Sequence, residues 1–170
     1  MRHIAQNAAD SIRVWRARIT TMTRRDWLLV FCAYEGAPAG LDPVRIQKGM
    51  FLFARSADVP PRERYEFRPY DYGPMSAGIY ADLDDLVAEG FVEQRAVAGK
   101  HWSTYTATPQ GRKRAHDRLR ALRTEPEKGR ARHLYEIKQS VAAVSFNELL
   151  ERVYREHPDM AVKSVFQRLH

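Results

Sequence analysis

The side chains best suited to bind a charged partner lie close together in one basic segment of this 170-residue chain. The segment PQGRKRAHDRLRALR, residues 109–123, contains Arg112, Lys113, Arg114, Arg118, Arg120 and Arg123. On a helix, a spacing of three or four residues places these bases in neighbouring rows. Such rows favour contact with the phosphate backbone of a nucleic acid. The alternative is a solvated face whose arginines pair with acids on the third helix of the predicted core or on a partner.

The other reactive residue types give no pattern of a catalytic site. The six histidines show no HExxH spacing, and the chain has no glycine-rich phosphate loop, no GxSxG turn and no CxxC pair. Asp84, Asp85 and Glu93 resemble the carboxylates of a metal nuclease only weakly, because adjacent helical residues point in different directions. The only cysteine, Cys32, lies in an apolar run and is predicted to be buried. We therefore predict a protein that is not an enzyme and that uses no cofactor or metal.

The charge of the chain is divided unevenly along its length. The net charge is +7, but residues 24–108 carry ten bases and twelve acids, whereas residues 109–170 carry fourteen bases and eight acids. A basic flank beside a slightly acidic centre favours double-stranded DNA or another acidic partner. No apolar run has the length of a membrane span. The composition predicts a cytoplasmic protein without a membrane partner.

Hydrophobic periodicity divides the chain into an arm, a core and an extension. Residues 1–22 form a predicted basic amphipathic helix with Trp15 on its apolar face, which could join two copies as a homodimer. The core, residues 23–108, begins with a capping box at Thr23 and Asp26. A second helix follows from Pro43, capped by Asp42, and presents Arg45 and Lys48 opposite its apolar face. The extension, residues 109–170, is predicted to be helical and includes a further capping box at Ser145.

The rest of the core alternates strands with a third helix. RYEFRPY reads as a short strand, and Gly73-Pro74 predicts a sharp turn into a helix that Pro74 opens and Gly90 ends. FVEQRAV and HWSTYTAT then predict a β-hairpin. Helix, helix, short strand, helix and hairpin is the order of a winged helix. The predicted fold is mainly α with a small antiparallel β-hairpin: a winged helix-turn-helix core with extra N- and C-terminal helices.

Three segments resemble the Panacea and YwgA-like winged-helix proteins. These are IQKGMFLFARS (46–56), FRPYDYGPMSAGIYADLDDLVAEGFV (67–92) and FNELLERVYREHPDMAVKS (146–164). The resemblance covers most of residues 24–165, although Gly49 stands where the family usually has a bulky apolar residue. It implies a winged-helix fold, and it implies a regulatory, DNA-binding, antitoxin or adaptor role.

The third helix of the core is acidic, which argues against the usual way in which a winged helix reads DNA. It carries Asp82, Asp84, Asp85 and Glu89 and no base, so that phosphates would repel it from the major groove. We therefore expect DNA contacts from the flanking basic helix and from the hairpin tip, the wing. The predicted DNA-binding residues are Arg112, Lys113, Arg114, Arg118, Lys100 and His101, with Arg45 and Lys48 as secondary contacts. The alternative is a protein-interaction module, an antitoxin or adaptor, that binds a partner through Ser76, Tyr80, Asp84, Asp85 and Glu89.

Overall fold

The computed structural model describes residues 21–35, 40–56 and 58–166. Its helices are α1 (Arg24–Ala33), α2 (Pro43–Ser56), α3 (Ala77–Ala88), α4 (Pro109–Arg120), α5 (Glu125–Ala143) and α6 (Phe146–Glu156). Strands β1 (Arg68–Tyr70) and β2 (Gly73–Met75) precede α3, and β3 (Val92–Ala96) and β4 (Ser103–Ala107) follow it. The described part is mainly helical with small antiparallel sheets, which confirms the predicted fold class. The predicted N-terminal helix, and the dimer contact assigned to it, lie almost entirely outside the described residues.

Helix α1 forms the centre of the core. The Thr23 hydroxyl accepts from the backbone N–H of Asp26 (3.1 Å), and the Asp26 carboxylate accepts from the backbone N–H of Thr23 (2.9 Å), which confirms the capping box. The six residues from Trp27 to Cys32 are all buried, and the burial of Cys32 agrees with its prediction from the sequence. Burial of every side of a helix requires neighbours all around it. These neighbours are α3, α4, α5 and β4.

The segment around Gly73 and Pro74 forms a strand and not the start of a helix. Pro69 pairs with Pro74 and Tyr70 with Gly73, and Gly73 adopts the left-handed region with φ of 85°. Helix α3 begins only at Ala77, after Ser76 as its N-cap residue. The prediction that Pro74 opens this helix is therefore wrong. Two prolines can face each other here because a two-stranded ribbon consists entirely of edge strands, which tolerate a missing donor.

The second pair of strands forms the predicted hairpin. Its register runs from Val92 opposite Ala107 to Ala96 opposite Ser103. Leu41 extends this sheet, because its N–H donates to the Tyr105 carbonyl (3.0 Å) and its own carbonyl accepts from the Tyr105 N–H (2.9 Å). The order of α1, α2, α3 and this hairpin is that of a winged helix.

The C-terminal helices pack directly on this core, α4 against α1 and α5 against α2. Lys138 of α5 is 3% exposed and donates to the Phe31 carbonyl (2.8 Å), where its charge offsets the negative end of the α1 dipole. Ser145 and Glu148 form the predicted capping box of α6. The interruption between α4 and α5 lies before Pro126. This proline lies in the first turn of α5, where a missing N–H costs no hydrogen bond.

Two glycines in helices lie where a side chain has no room. A Cβ atom on Gly49 would collide with the ring of Phe31, which is fully buried. A Cβ atom on Gly111 would collide with the carbonyl oxygen of Phe91. Gly49 therefore admits the Phe31 ring between α1 and α2, and Gly111 lets α4 approach the chain just before β3.

We expect Gly111→Ala to lower the free energy of unfolding by about 2 kcal/mol or more, because backbone rather than a flexible side chain must move. Gly129→Ala is the matched control within α5. Its Cβ would meet nothing closer than the Arg132 Nη2 atom at 3.8 Å, so we expect a gain of up to about 1 kcal/mol from helix propensity. Chemical unfolding of the two variants measures both changes. Equal effects of the two substitutions would contradict the packing described for α4.

Candidate nucleic-acid interface

The first turn of α4 fixes the direction in which its bases point. The Thr108 hydroxyl caps this helix by accepting from the Gly111 N–H (3.0 Å), and it donates to the Gly90 carbonyl (2.7 Å). Gly111 packs on the backbone at Phe91, and Gly111 and Ala115 form the buried side of the helix. Rotation of α4 would break this contact, so the exposed side is determined by the packing of the core.

Four bases are exposed on α4, and we call them the basic face: Arg112, Lys113, Arg114 and Arg120. Arg112 donates to the Ala107 carbonyl (2.7 Å), which holds its guanidinium near the end of β4. Lys113 pairs with Asp117 at 3.0 Å, but both side chains are more than half exposed. Such a pair contributes only about 0.3–0.5 kcal/mol, so a phosphate can replace the carboxylate at little cost. The basic face is therefore available to an anionic partner.

Arg118 does not belong to this face, although its spacing from Arg114 suggested that it would. Its side chain is 13% exposed and pairs with Asp26 of α1 at 2.8 Å. It also donates to the Thr21 carbonyl (2.6 Å). For Arg118, the structure favours the alternative in which an arginine pairs with an acid of the chain, although this acid lies on α1 and not on the acidic helix.

Arg45 and Lys48 of α2, which were predicted as secondary DNA contacts, also face inward. Arg45 donates to the carbonyls of Val141 (3.2 Å) and Val144 (2.9 Å) and pairs with Asp42 at 2.5 Å, so it joins α2 to the end of α5. Lys48 is 2% exposed, and its ammonium donates to the Pro74 carbonyl (2.9 Å). The expectation that Lys48 lies opposite the buried face of α2 is wrong, because the β1–β2 hairpin covers that side. Burial lowers the pKa of Lys48 to about 7.

The tip of the β3–β4 hairpin presents the other predicted bases to solvent. Lys100 and His101 are both exposed. The Lys100 ammonium lies 5.2 Å from the centre of the Trp102 ring, a cation–π arrangement. Trp102 is itself 47% exposed. The tip therefore combines a cation with an aromatic ring at the surface.

The acids of α3 divide into a paired set and an unpaired set. Asp82 is buried, where it accepts from the Tyr65 hydroxyl (2.6 Å) and pairs with Arg24 at 3.1 Å. Glu89 pairs with Arg25 of α1, and this hydrogen bond lowers the pKa of Glu89, with a smaller effect of Arg114. Asp84 and Asp85 are exposed and make no ion pair within the described residues. These two carboxylates give α3 its negative surface.

The other residues predicted to bind a partner lie in different environments. Ser76 is 7% exposed, and its backbone N–H and carbonyl bond the Gln47 side chain at 2.9 and 3.0 Å, so its place is structural. Tyr80 is 42% exposed. It borders a cavity of about 820 Å³ that sequence reasoning missed. The aromatic side chains around this cavity are Tyr70, Tyr72, Tyr80, Trp102 and Phe146. Their only signal in the sequence is aromatic enrichment near Gly73 and Pro74, since Trp102 and Phe146 lie far from the other three along the chain.

Comparison with known proteins does not identify a family. No protein-family model matches the chain, and no curated protein matches it. The resemblance to the Panacea and YwgA-like proteins therefore stays a prediction. In the described ranges, no three His, Cys, Asp or Glu side chains lie where they could hold a metal ion together. No helix of the described part is long and apolar enough to cross a bilayer.

The lowered pKa of Lys48 predicts how stability depends on pH. In the unfolded chain this lysine regains its ordinary pKa of 10.5, so the unfolded state binds more protons than the native state between about pH 7 and pH 10. Wild-type stability should therefore rise with pH relative to Lys48→Met, by at most about 1.4 kcal/mol per pH unit. Urea unfolding of both proteins at several pH values measures this difference. Parallel pH profiles would contradict the burial of a titrating Lys48.

Proposed function

We propose that this protein is a winged-helix regulatory protein that binds double-stranded DNA through the basic face of α4 and the hairpin tip. The observation that carries the proposal is the exposure of Arg112, Lys113, Arg114 and Arg120 around the solvent side of a helix whose orientation is fixed by the core. Lys100 and His101 add exposed bases at the wing. The resemblance to the Panacea and YwgA-like winged-helix proteins supports a regulatory role.

The charges favour contact with phosphates over reading of bases. Arginine and lysine side chains that contact phosphates position a protein on DNA without selecting a sequence. Helix α3, which in most winged helices enters the major groove, exposes Asp84 and Asp85 and contains no base. Binding should therefore depend strongly on salt and only weakly on DNA sequence.

The triple variant Arg112→Ala, Lys113→Ala, Arg114→Ala tests this proposal directly. We expect weaker binding to random-sequence duplex DNA. The slope of log affinity against log salt should fall by about 0.9 for each phosphate contact that is lost. Fluorescence anisotropy across a salt series measures both quantities. Arg118 stays unchanged in this variant, because its ion pair with Asp26 supports the fold.

The matched control removes three other exposed bases with the same change in charge: Arg64→Ala, Arg155→Ala and Lys163→Ala. None of these residues belongs to α1 or β4, the main packing partners of α4. We expect the control to bind somewhat more weakly through its lower net charge, with a nearly unchanged salt slope. If wild type does not bind DNA at low salt, or if both triple variants lose the same slope, the proposed DNA surface is wrong.

A second candidate function is a protein-interaction module, an antitoxin or adaptor. Tyr80 and Asp84, one helical turn apart on α3, are both exposed, and Asp85 is exposed beside Asp84. Aromatic residues are frequent anchors of protein interfaces, and exposed carboxylates favour a basic partner. Ser76 and Glu89 contribute less to this surface than the sequence suggested, since one is buried and the other is paired with Arg25.

The double variant Asp84→Asn, Asp85→Asn separates the two candidates. If α4 faces DNA and α3 faces away, the DNA affinity should change by about twofold or less at physiological salt, because distant charges are screened. A protein partner of α3 would instead be bound by wild type and released by the variant in quantitative co-purification. A large rise in DNA affinity with a changed salt slope would show that α3 faces the DNA, which would contradict the proposed orientation.

A further inference from the structure

The cavity beside Tyr80 is formed by five separate parts of the chain. Its walls come from the start of α2, the β1–β2 hairpin, α3, the tip of the second hairpin and the first residue of α6. Its volume of about 820 Å³ lies within the range of sites that enclose a small organic molecule. Aromatic rings dominate the walls, and the rings of Tyr72 and Phe146 pack edge to face with centres 5.8 Å apart. Such walls favour a planar ring by stacking and edge contacts.

A buried amine lies in the wall of the same cavity. Lys48 and Pro74 both line the cavity, and the Lys48 ammonium donates to the Pro74 carbonyl. An ammonium group has three N–H donors, and this carbonyl is its one hydrogen-bond acceptor within the described residues. A buried charge without an opposite charge beside it is costly. An anion bound in the cavity beside Lys48 would therefore stabilise the buried ammonium.

No neighbouring acid forms an ion pair with Lys48, although the charge of Asp42 partly offsets the effect of burial on its pKa. The carboxylate of Asp42 is paired with Arg45, which also donates hydrogen bonds to two backbone carbonyls. Gln47 bonds the backbone of Ser76 in both directions. Asp71 lines the cavity but is exposed, where water screens its charge. Lys48 is thus the one buried charge in this wall that no carboxylate in the described residues neutralises by an ion pair.

We propose that this cavity binds a planar aromatic carboxylate. The ring lies between the aromatic walls, and the carboxylate accepts from the Lys48 ammonium. A phosphate group suits the site poorly, because its oxygens accept several hydrogen bonds and a single amine lies in the wall. The inference does not depend on DNA binding. Trp102, on which Lys100 stacks, belongs to the wall, so the ligand site adjoins the hairpin tip of the proposed DNA surface.

Matched acids and amides test the proposal on the full-length protein. The probes are indole-3-acetate with indole-3-acetamide, and 4-hydroxyphenylacetate with 4-hydroxyphenylacetamide, titrated by isothermal calorimetry at pH 6, where Lys48 carries its charge. We expect at least one acid to bind at least about tenfold more tightly than its amide. No binding of either acid up to about 5 mM, or equal affinity for acid and amide, would overturn the proposal.

Three variants place the binding in this cavity. Lys48→Met should abolish the preference for the acid while leaving weak binding of both probes, with circular dichroism as the check on folding. Trp102→Ala should weaken the acid and the amide alike, and Trp102 is too exposed for its loss to unfold the chain. Tyr135→Ala is the control, because Tyr135 is also 47% exposed but lies outside this cavity. Unchanged acid binding in Trp102→Ala, or an equal loss in Tyr135→Ala, would exclude this cavity as the site.

Discussion

The carboxylate of Asp26 connects the helix at the centre of the core to the helix that carries the basic face. One of its oxygens accepts from the Thr23 N–H and hydroxyl, which caps α1, and from Arg118 of α4 at 2.8 Å. Both side chains of the ion pair are largely buried. Removal of one partner of such a pair typically costs about 3–5 kcal/mol, because the other charge stays buried and unpaired. With Gly111 packed on the Phe91 carbonyl, this pair determines both the position and the rotation of α4.

This constraint divides the bases of α4 into two groups with different tasks. Arg118 contributes to the stability of the fold, whereas Arg112, Lys113 and Arg114 stay exposed. The acids follow a similar division, since Asp82 and Glu89 pair with arginines of α1 while Asp84 and Asp85 remain at the surface. The ion pairs that hold the helices together thus leave surplus positive charge on α4 and surplus negative charge on α3. The proposed orientation on DNA follows from this separation of charge.

The sequence predicted those features that local signals determine. Capping boxes at Thr23 and Ser145 and the alternating runs of the second hairpin involve residues close in the chain, so the corresponding elements were placed correctly. Gly73-Pro74 was misread because proline suits a first helical turn as well as an edge strand, and only pairing with the Pro69 segment decides between them. The burial of Lys48 depends on that same hairpin. The inward turn of Arg118 depends on Asp26, 92 residues earlier, and the aromatic cavity combines rings from four segments of the chain. Distant contacts of this kind leave no periodic signal in the sequence.

Mapping the contact surface would show whether α4 and the hairpin tip face DNA while α3 faces away. The measurement is a nuclear magnetic resonance titration of the isotope-labelled protein with a short random-sequence duplex. We expect the largest changes in backbone amide signals at Arg112, Lys113 and Arg114 and at Lys100 and His101, with small changes along α3. The largest changes at Tyr80, Asp84 and Asp85 would contradict this orientation.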